Sequence, residues 1–580
     1  MILKQMRRNA ICIQGERSSS LDLARGRLVI LGMCFILAYS IVAVRAIDLG
    51  IVQGDIAHFA DDDEEVSAYL QREAEVRRGN VYDRNGELLA TTIKTASLYV
   101  DPSLILEPGK LVSSLLRVFP DLDYTDTLKG LQSERRFAWI KRGITPAQQQ
   151  QVLALGEPGL GFEYEDTRIY PQGALAAHLV GYASRDSKGL SGVERSFDES
   201  LNAGDDLIMT LDLRLQHTLR RELSKAIADF DGIGGAGVIL DARSGEILAG
   251  VSLPDFDLNK AGGAKPAEQF SRLTLGVYEL GSMFKIFSTA ALLETADVPM
   301  SYTFDARKPI KIGRFTINDY HAQKRVLTLP EVFMHSSNIG TAMMGQQIGT
   351  ENLRGIYRDL GLLDPMNFEI KEIGKPGVPR PWRDINTLTA SYGHGVSTTP
   401  LQLAAATGTV VNGGFYVRPH LVKPRSDEVV QSEIRILSQD TSDKMRALLR
   451  LVVTEGTGKN ADVPGFYIGG KTGTAEKPGA KGGYDRDKLI SSFVGVFPMD
   501  DPRYVVMVMV DEPKGNKKSY GYATAGWVAA PAVARVVTSM ASILGMPADQ
   551  YSEQDDISND LMPYIHSKKK KRKQVVSYAH

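Results

Sequence analysis

The chain has 580 residues, 43% hydrophobic and 24% charged, with a formal net charge of −1. That length implies two to four domains, and the composition excludes a polytopic membrane protein and a wholly disordered chain. The near-zero charge excludes a dedicated nucleic-acid binder, and two cysteines (Cys12, Cys34), nine histidines and no HExxH leave no basis for a disulfide framework or a metal centre.

Leu28 to Val44 is an uncharged apolar run of 17 residues between Arg27 and Arg45. As a helix it is about 26 Å long, slightly short of a hydrocarbon core. Lys4, Arg7, Arg8, Arg17, Arg25 and Arg27 precede it, against Glu16 and Asp22, so the positive-inside rule places residues 1–27 in the cytoplasm. A cleaved signal peptide has a shorter apolar core and a small-x-small site, which Val42 to Ala46 does not supply. The expectation is a retained anchor over 28–44, with the rest of the chain on the far side of a plasma membrane, in the periplasm. The acidic cluster Asp61 to Glu65 reads as a solvated segment.

Residues 45–204 mix short β-type runs, such as Ala96 to Val100, with helical stretches and Gly/Pro breaks. Asp206 to Leu211 then reads as a strand. Arg214 to Phe230 has helical periodicity, with Leu215, Leu219, Leu223, Ala226 and Ile227 on one face. Gly237–Asp241 and Glu246–Val251, joined at Arg243-Ser244-Gly245, predict a β-hairpin. Ser492–Phe497 and Tyr504–Val510 predict a second adjacent strand pair, and Trp527–Leu544 a closing helix. Strands at both ends with helices between them predict an α/β domain over 205–545, an antiparallel sheet covered by helices. Residues 546–580, ending in the basic run Lys568 to Lys573, read as a polar, disordered tail.

Three short stretches carry the chemistry. In Gly281-Ser282-Met283-Phe284-Lys285, a serine and a lysine three residues apart share one face of a helical turn. A buried lysine of lowered proton affinity can take the serine proton and activate the hydroxyl for acyl attack. Ser336-Ser337-Asn338 follows 54 residues later, and Lys471-Thr472-Gly473-Thr474 a further 135 later. Each alone is common, and a Ser-x-Asn stretch is usually a turn or helix cap. In this order they match the three-part signature of serine β-lactamases and penicillin-binding proteins. Tyr467 to Gly470 predicts that Lys471 lies on a strand beside a cleft, with glycines that let substrate backbone come close. Gly456-Thr457-Gly458-Lys459 fails as a P-loop because Val453 and Asn460 stand where glycine and Ser/Thr are required. His335 and His394 are read as packing residues near the cleft, and His178 as structural.

From Arg77 to Leu544 the chain resembles the class B penicillin-binding proteins, in particular their division-specific branch. Tyr278 to Ser282 is similar to the family's lead-in to its nucleophile, and Thr399 to Ala404 to another block of its transpeptidase domain. Arg78 to Gly86, Arg168 to Pro171 with Ala177 to Gly181, and Gly189 to Glu194 resemble three motifs of its pedestal.

The resemblance implies an elongated α+β pedestal of the penicillin-binding dimerisation type over 45–204, ahead of the transpeptidase domain over 205–545. It implies a serine D-Ala-D-Ala transpeptidase that cross-links peptidoglycan stem peptides during septum formation and is acylated by β-lactams. Ser282 would be the nucleophile, Lys285 its base, Ser336 a proton relay and Asn338 an amide-binding partner. Lys471 would supply positive potential, and Thr472, Gly473 and Thr474 would bind the substrate, with no metal or cofactor. Implied partners are a multi-pass glycan polymerase (FtsW-like) and other division proteins. An elongation-specific transpeptidase, a β-lactamase or D,D-carboxypeptidase, and a non-enzymatic scaffold or penicillin sensor are the alternatives.

Overall fold

The computed structural model describes residues 77–313, 315–424, 434–479, 483–548 and 556–566, together with 27, 29–34, 36–40 and 42. The chain divides into two units, Met1–Val76 and Arg77–His580. In the first, the described residues are helical and exposed, and none of the described helices is long and apolar enough to cross a membrane. Parts of the apolar run expected as an anchor, and the whole acidic cluster at 61–65, lie outside the described residues.

The second unit opens with a five-stranded sheet. Leu88–Val100 (β2) is its spine, with Val81–Tyr82 (β1), Ala138–Ile144 (β3) and Leu160–Ile169 (β4) antiparallel to it. Leu207–Ile208 (β5) pairs parallel with β1. The helices Pro108–Val118 (α1), Tyr124–Leu131 (α2) and Pro146–Leu153 (α3) cover one side, burying Leu111, Leu115, Phe119, Leu131 and Val152 with Leu98 and Val100. The strand expected at 206–211 is therefore shorter and belongs to this sheet. After Ile208 the chain leaves it, because Thr210 bonds to Leu421 and Ile247 and Asp212 caps the next helix.

One buried network ties the three pedestal motifs together. Arg78 Nε donates to Glu194 Oε2 at 2.7 Å, and Arg168 Nε donates to Glu194 Oε1 at 2.7 Å. Arg78 also donates to Asp198 Oδ1 at 2.6 Å, and Arg168 to Gly79 O at 2.8 Å. His178 Nε2 donates to the Glu268 carbonyl at 2.8 Å and packs edge-on against Phe256, the structural place expected for it.

The second sheet has the order β12-β13-β14-β6-β7, antiparallel throughout. Its strands are Gly234–Asp241 (β6), Ile247–Leu253 (β7), Gly469–Pro478 (β12), Tyr484–Phe497 (β13) and Tyr504–Asp511 (β14). Two small strand pairs lie between: Thr303–Asp305 (β8) with Val326–Thr328 (β11), and Ile310–Ile312 (β9) with Phe315–Ile317 (β10). Alternation along β14 shows why the sheet sits in the middle. Val506, Val508 and Val510 enter one apolar cluster, and Val505, Met507 and Met509 the other. Both faces are apolar, so both must be covered.

Leu213–Asp229 (α4) and Ala529–Ile543 (α10) cover the first face. Lys285–Ala296 (α5), Leu329–Met334 (α6), Asn338–Ile348 (α7), Pro400–Val411 (α8) and Gln439–Thr454 (α9) belong to the second. The expected hairpin, second strand pair and closing helix are all present. The block Thr399 to Ala404 has a local reason: Thr399 caps α8, Pro400 fills its first turn, and Gln402 closes a capping box.

The tail expected to be disordered is not so over its middle part. Ile557–Tyr564 forms a 3₁₀ turn with Leu561 buried. Asp556 accepts from the buried Arg450 at 2.9 Å, and Thr328 Oγ1 donates to Tyr564 O at 2.7 Å. Apolar residues spaced through a polar stretch gave it a face to bury. The basic run 568–573 lies outside the described residues.

Candidate active site

Ser282 lies on the 3₁₀ turn Gly281–Phe284, which runs directly into α5. Helix α5 is apolar and buried on nearly every side, from Lys285 to Leu293, as a core helix must be. Lys285 is therefore carried into the interior, with no side-chain exposure, and is not a surface lysine. Its ammonium nitrogen donates to Ser336 O at 2.5 Å, Ser336 Oγ at 3.1 Å and Asn338 Oδ1 at 2.7 Å, and not to Ser282.

Ser336 sits at the end of α6 in the left-handed region, with φ of 56°. Ser337 is the N-cap of α7, its hydroxyl accepting from Gly340 N at 3.0 Å. The Ser-x-Asn stretch is thus both the helix cap expected on general grounds and the partner of Lys285.

Lys471 lies on β12, which is an edge of the sheet. It is fully buried and donates to Ser336 Oγ at 3.0 Å and Thr472 O at 3.3 Å. Its ammonium stands 5.9 Å above the Phe333 ring, a weak cation–π partner. One hydroxyl, Ser336 Oγ, is therefore shared by two buried lysines from different elements.

The turn and the edge strand are in contact. A Cβ on Gly473 would stand 2.5 Å from Leu280 O, and one on Gly281, whose φ is 55°, would stand 3.0 Å from Thr474 O. Only glycine lets the nucleophile turn reach β12 this closely. Gly469 and Gly470 have a different reason from the one expected. A Cβ there would collide with Met499 Sδ at 2.7 Å and with Val494 O at 2.4 Å, so they admit the protein's own core rather than substrate. The two threonines are already oriented: Thr472 Oγ1 shares a hydrogen bond with Thr457 Oγ1 at 2.6 Å, and Thr474 Oγ1 accepts from Ala525 N at 3.0 Å.

Burial disfavours a charged amine. It lowers the proton affinity of Lys471, bringing its pKa down to about 7. Lys285 falls well below the ordinary lysine value, first through burial and then through repulsion by Lys471, against which Asp319 pulls upward. A neutral amine and a nearby hydroxyl are what general-base activation of a serine requires.

The structure brings Ser282, Lys285, Ser336, Asn338, Lys471, Thr472, Gly473 and Thr474 to one place. It leaves the histidines aside. His335 closes α6, and burial lowers its proton affinity. His394 stacks on Tyr484, 4.2 Å between ring centres, beside Glu279. Sequence reasoning missed Thr457, Asn318 and Asp319, which lie in loops or helix ends without a motif of their own. Thr457 fell inside the rejected P-loop.

The comparisons agree with this geometry. Residues 235–535 match the penicillin binding protein transpeptidase domain, and residues 73–211 the penicillin-binding protein dimerisation domain. The chain belongs to the penicillin-binding protein transpeptidase family, as a class B, FtsI-like member. It is 41% identical over 483 residues to the probable peptidoglycan D,D-transpeptidase FtsI of Caulobacter vibrioides, covering 81% of this chain and 82% of that one. It is 27% identical to the peptidoglycan D,D-transpeptidase FtsI of Escherichia coli K12, over 91% and 94% of the two chains. Penicillin-binding protein 3 of Mycobacterium tuberculosis, solved with ampicillin, superposes with a TM-score of 0.67 at 25% identity, covering 83% of this chain and 98% of that one.

Proposed function

We propose that the protein is the peptidoglycan D,D-transpeptidase that cross-links stem peptides at the division septum. The observation that carries the chemistry is the sharing of Ser336 Oγ by buried Lys285 and Lys471 beside Ser282. Neutral Lys285 takes the Ser282 proton as Oγ attacks the carbonyl of the D-Ala–D-Ala bond. The tetrahedral oxyanion is held by the backbone N–H groups of Ser282 and Thr474, where a lost donor costs about 3–4 kcal/mol. Ser336, between the two lysines, passes a proton to the departing D-Ala nitrogen. Asn338 aligns the substrate amide. Lys471 in its protonated form, with Thr472, Gly473 and Thr474, receives the terminal carboxylate. An amine of a neighbouring stem then attacks the acyl-enzyme and releases Ser282. A β-lactam carries the same carboxylate and acyl group and stops at the acyl stage.

In this reading residues 28–44 are a single membrane anchor with 1–27 in the cytoplasm, 45–204 are the pedestal, and 205–545 are the periplasmic transpeptidase domain. The anchor and pedestal dock on a multi-pass glycan polymerase of the FtsW kind and on other division proteins. The small residues Gly32, Ala38, Ser40 and Ala43 in the apolar run support a helix-to-helix contact.

Two experiments test the reading. Incubation with a stem pentapeptide and an amine acceptor should release D-Ala and give a cross-linked dimer; release with hydrolysis alone would make it a carboxypeptidase. Depletion in cells should give filaments. Rounded cells would assign it to the lateral wall.

A further inference from the structure

The arm Ser336–Asn338 is held from behind by a residue outside the three motifs. Asp319 lies on the loop from β10 to β11. Its Oδ2 accepts from Ser337 Oγ at 2.8 Å, and its Oδ1 accepts from Ile339 N at 2.9 Å. Next to it, Asn318 O accepts from Asn338 Nδ2 at 3.0 Å. These bonds land on three consecutive residues at the start of α7. They extend the cap that Ser337 provides, and a carboxylate is favoured at that helix end. The loop itself is anchored, since Ile317 is buried with Ala342 of α7 and Leu388.

The arm needs such support. Ser336 holds a left-handed backbone, which for a non-glycine residue is strained and persists only where its surroundings over-determine it. Its hydroxyl has to meet two lysines at once, and an error of about 1 Å in such placement can cost on the order of a hundredfold in rate.

We propose that Asp319 is a positioning residue for acylation: through Ser337 and Ile339 it holds the Ser336 hydroxyl and the Asn338 carboxamide on Lys285, and it sets a negative charge against the buried lysine pair. This rests on the reading of Ser282 and Lys285 as nucleophile and base. The charged groups that act on Lys285 are Lys471 from β12, which drives its proton off, and Asp319 from the loop, which holds it on. Helix α7 and the end of α6 face it with the uncharged Asn338 and Ser336. Neutralising Asp319 removes the holding charge, so Lys285 becomes a free base at lower pH. The acid limb of acylation then moves to lower pH.

The experiment is the second-order acylation of the full-length protein by a fluorescent penicillin, from about pH 5 to 9. Asp319→Ala should slow acylation by about 10- to 100-fold above the acid limb, where Lys285 is neutral in both proteins. Asp319→Asn keeps the shape and loses the charge, and should move the acid limb down by about half a pH unit or more. Ser337→Ala keeps the charge and loses one strut, and should slow acylation with the limb unmoved. Thermal unfolding of each variant is recorded beside it, and should Asp319→Ala not fold, the other two decide. Asp319→Ala or Ser337→Ala within twofold of the wild type, or an acid limb unmoved in Asp319→Asn, would overturn the proposal. Persistent labelling of Ser282→Ala protein would instead remove the assignment on which it rests.

Discussion

The pedestal and the catalytic domain each hold a pair of buried cationic side chains that share one partner, and they treat the pair in opposite ways. Arg78 and Arg168 share the fully buried Glu194, one on each carboxylate oxygen. Lys285 and Lys471 share a hydroxyl, Ser336 Oγ, and neither forms an ion pair with a carboxylate among the described residues. A guanidinium keeps its charge, so it can be buried only with a permanent partner. An amine can give up its proton instead, and burial makes it do so. The first arrangement locks three sequence motifs into one body. The second stores two amines that can take or give a proton. Buried positive charge is thus read as structure or chemistry by whether a carboxylate answers it.

Five changes test that contrast, from the largest effect down. Ser282→Ala removes one hydroxyl from a turn held by backbone packing, so covalent labelling by fluorescent penicillin should vanish while the melting temperature stays within a few degrees of the wild type. Lys285→Arg keeps a cation but removes the base. Acylation measured by stopped-flow should fall by about 10²- to 10⁴-fold. Glu194→Ala leaves two guanidinium groups facing each other and should cost about 3–5 kcal/mol in denaturant unfolding, while the protein that remains folded still labels at Ser282.

The pH profile gives the fourth test. Lys285 must be neutral to accept a proton, so acylation is lost as pH falls through its lowered pKa. Lys471 must be charged to attract the penicillin carboxylate, so the second-order rate also declines as pH rises through about 7. The expected curve is a bell, and Lys471→Arg should flatten its alkaline side. A profile that rises steadily to pH 9 in the wild type would contradict the assignment of Lys471. The smallest effect belongs to another buried cation of the catalytic domain. Arg450 loses one of its two carboxylates in Asp556→Ala but keeps Asp462 and Ile468 O, so the loss should be about 1 kcal/mol. A loss as large as that of Glu194→Ala would mean that the C-terminal turn is an integral part of the core.

Much of this was legible in the sequence, because it depends on neighbours along the chain. Alternating and continuous apolar runs marked β6, β7, β13 and β14, 3.6-residue periodicity marked α4, and α10 was expected as the closing helix. The order of Ser282-x-x-Lys285, Ser336-x-Asn338 and Lys471-Thr-Gly was enough to point to the candidate site and to the family. Tertiary structure decided the rest. No local pattern shows that Leu207–Ile208 pairs with Val81–Tyr82 some 125 residues earlier. None shows that Gly469 and Gly470 make room for Met499 and Phe493, or that 556–566 returns to Arg450 and Thr328. Asp319 carried no signal either, since one aspartate in a loop is ordinary until its oxygens are found on Ser337 and Ile339. A sequence lists which side chains can titrate, but burial and the distance to the nearest charge set whether they do, and both are properties of the folded chain.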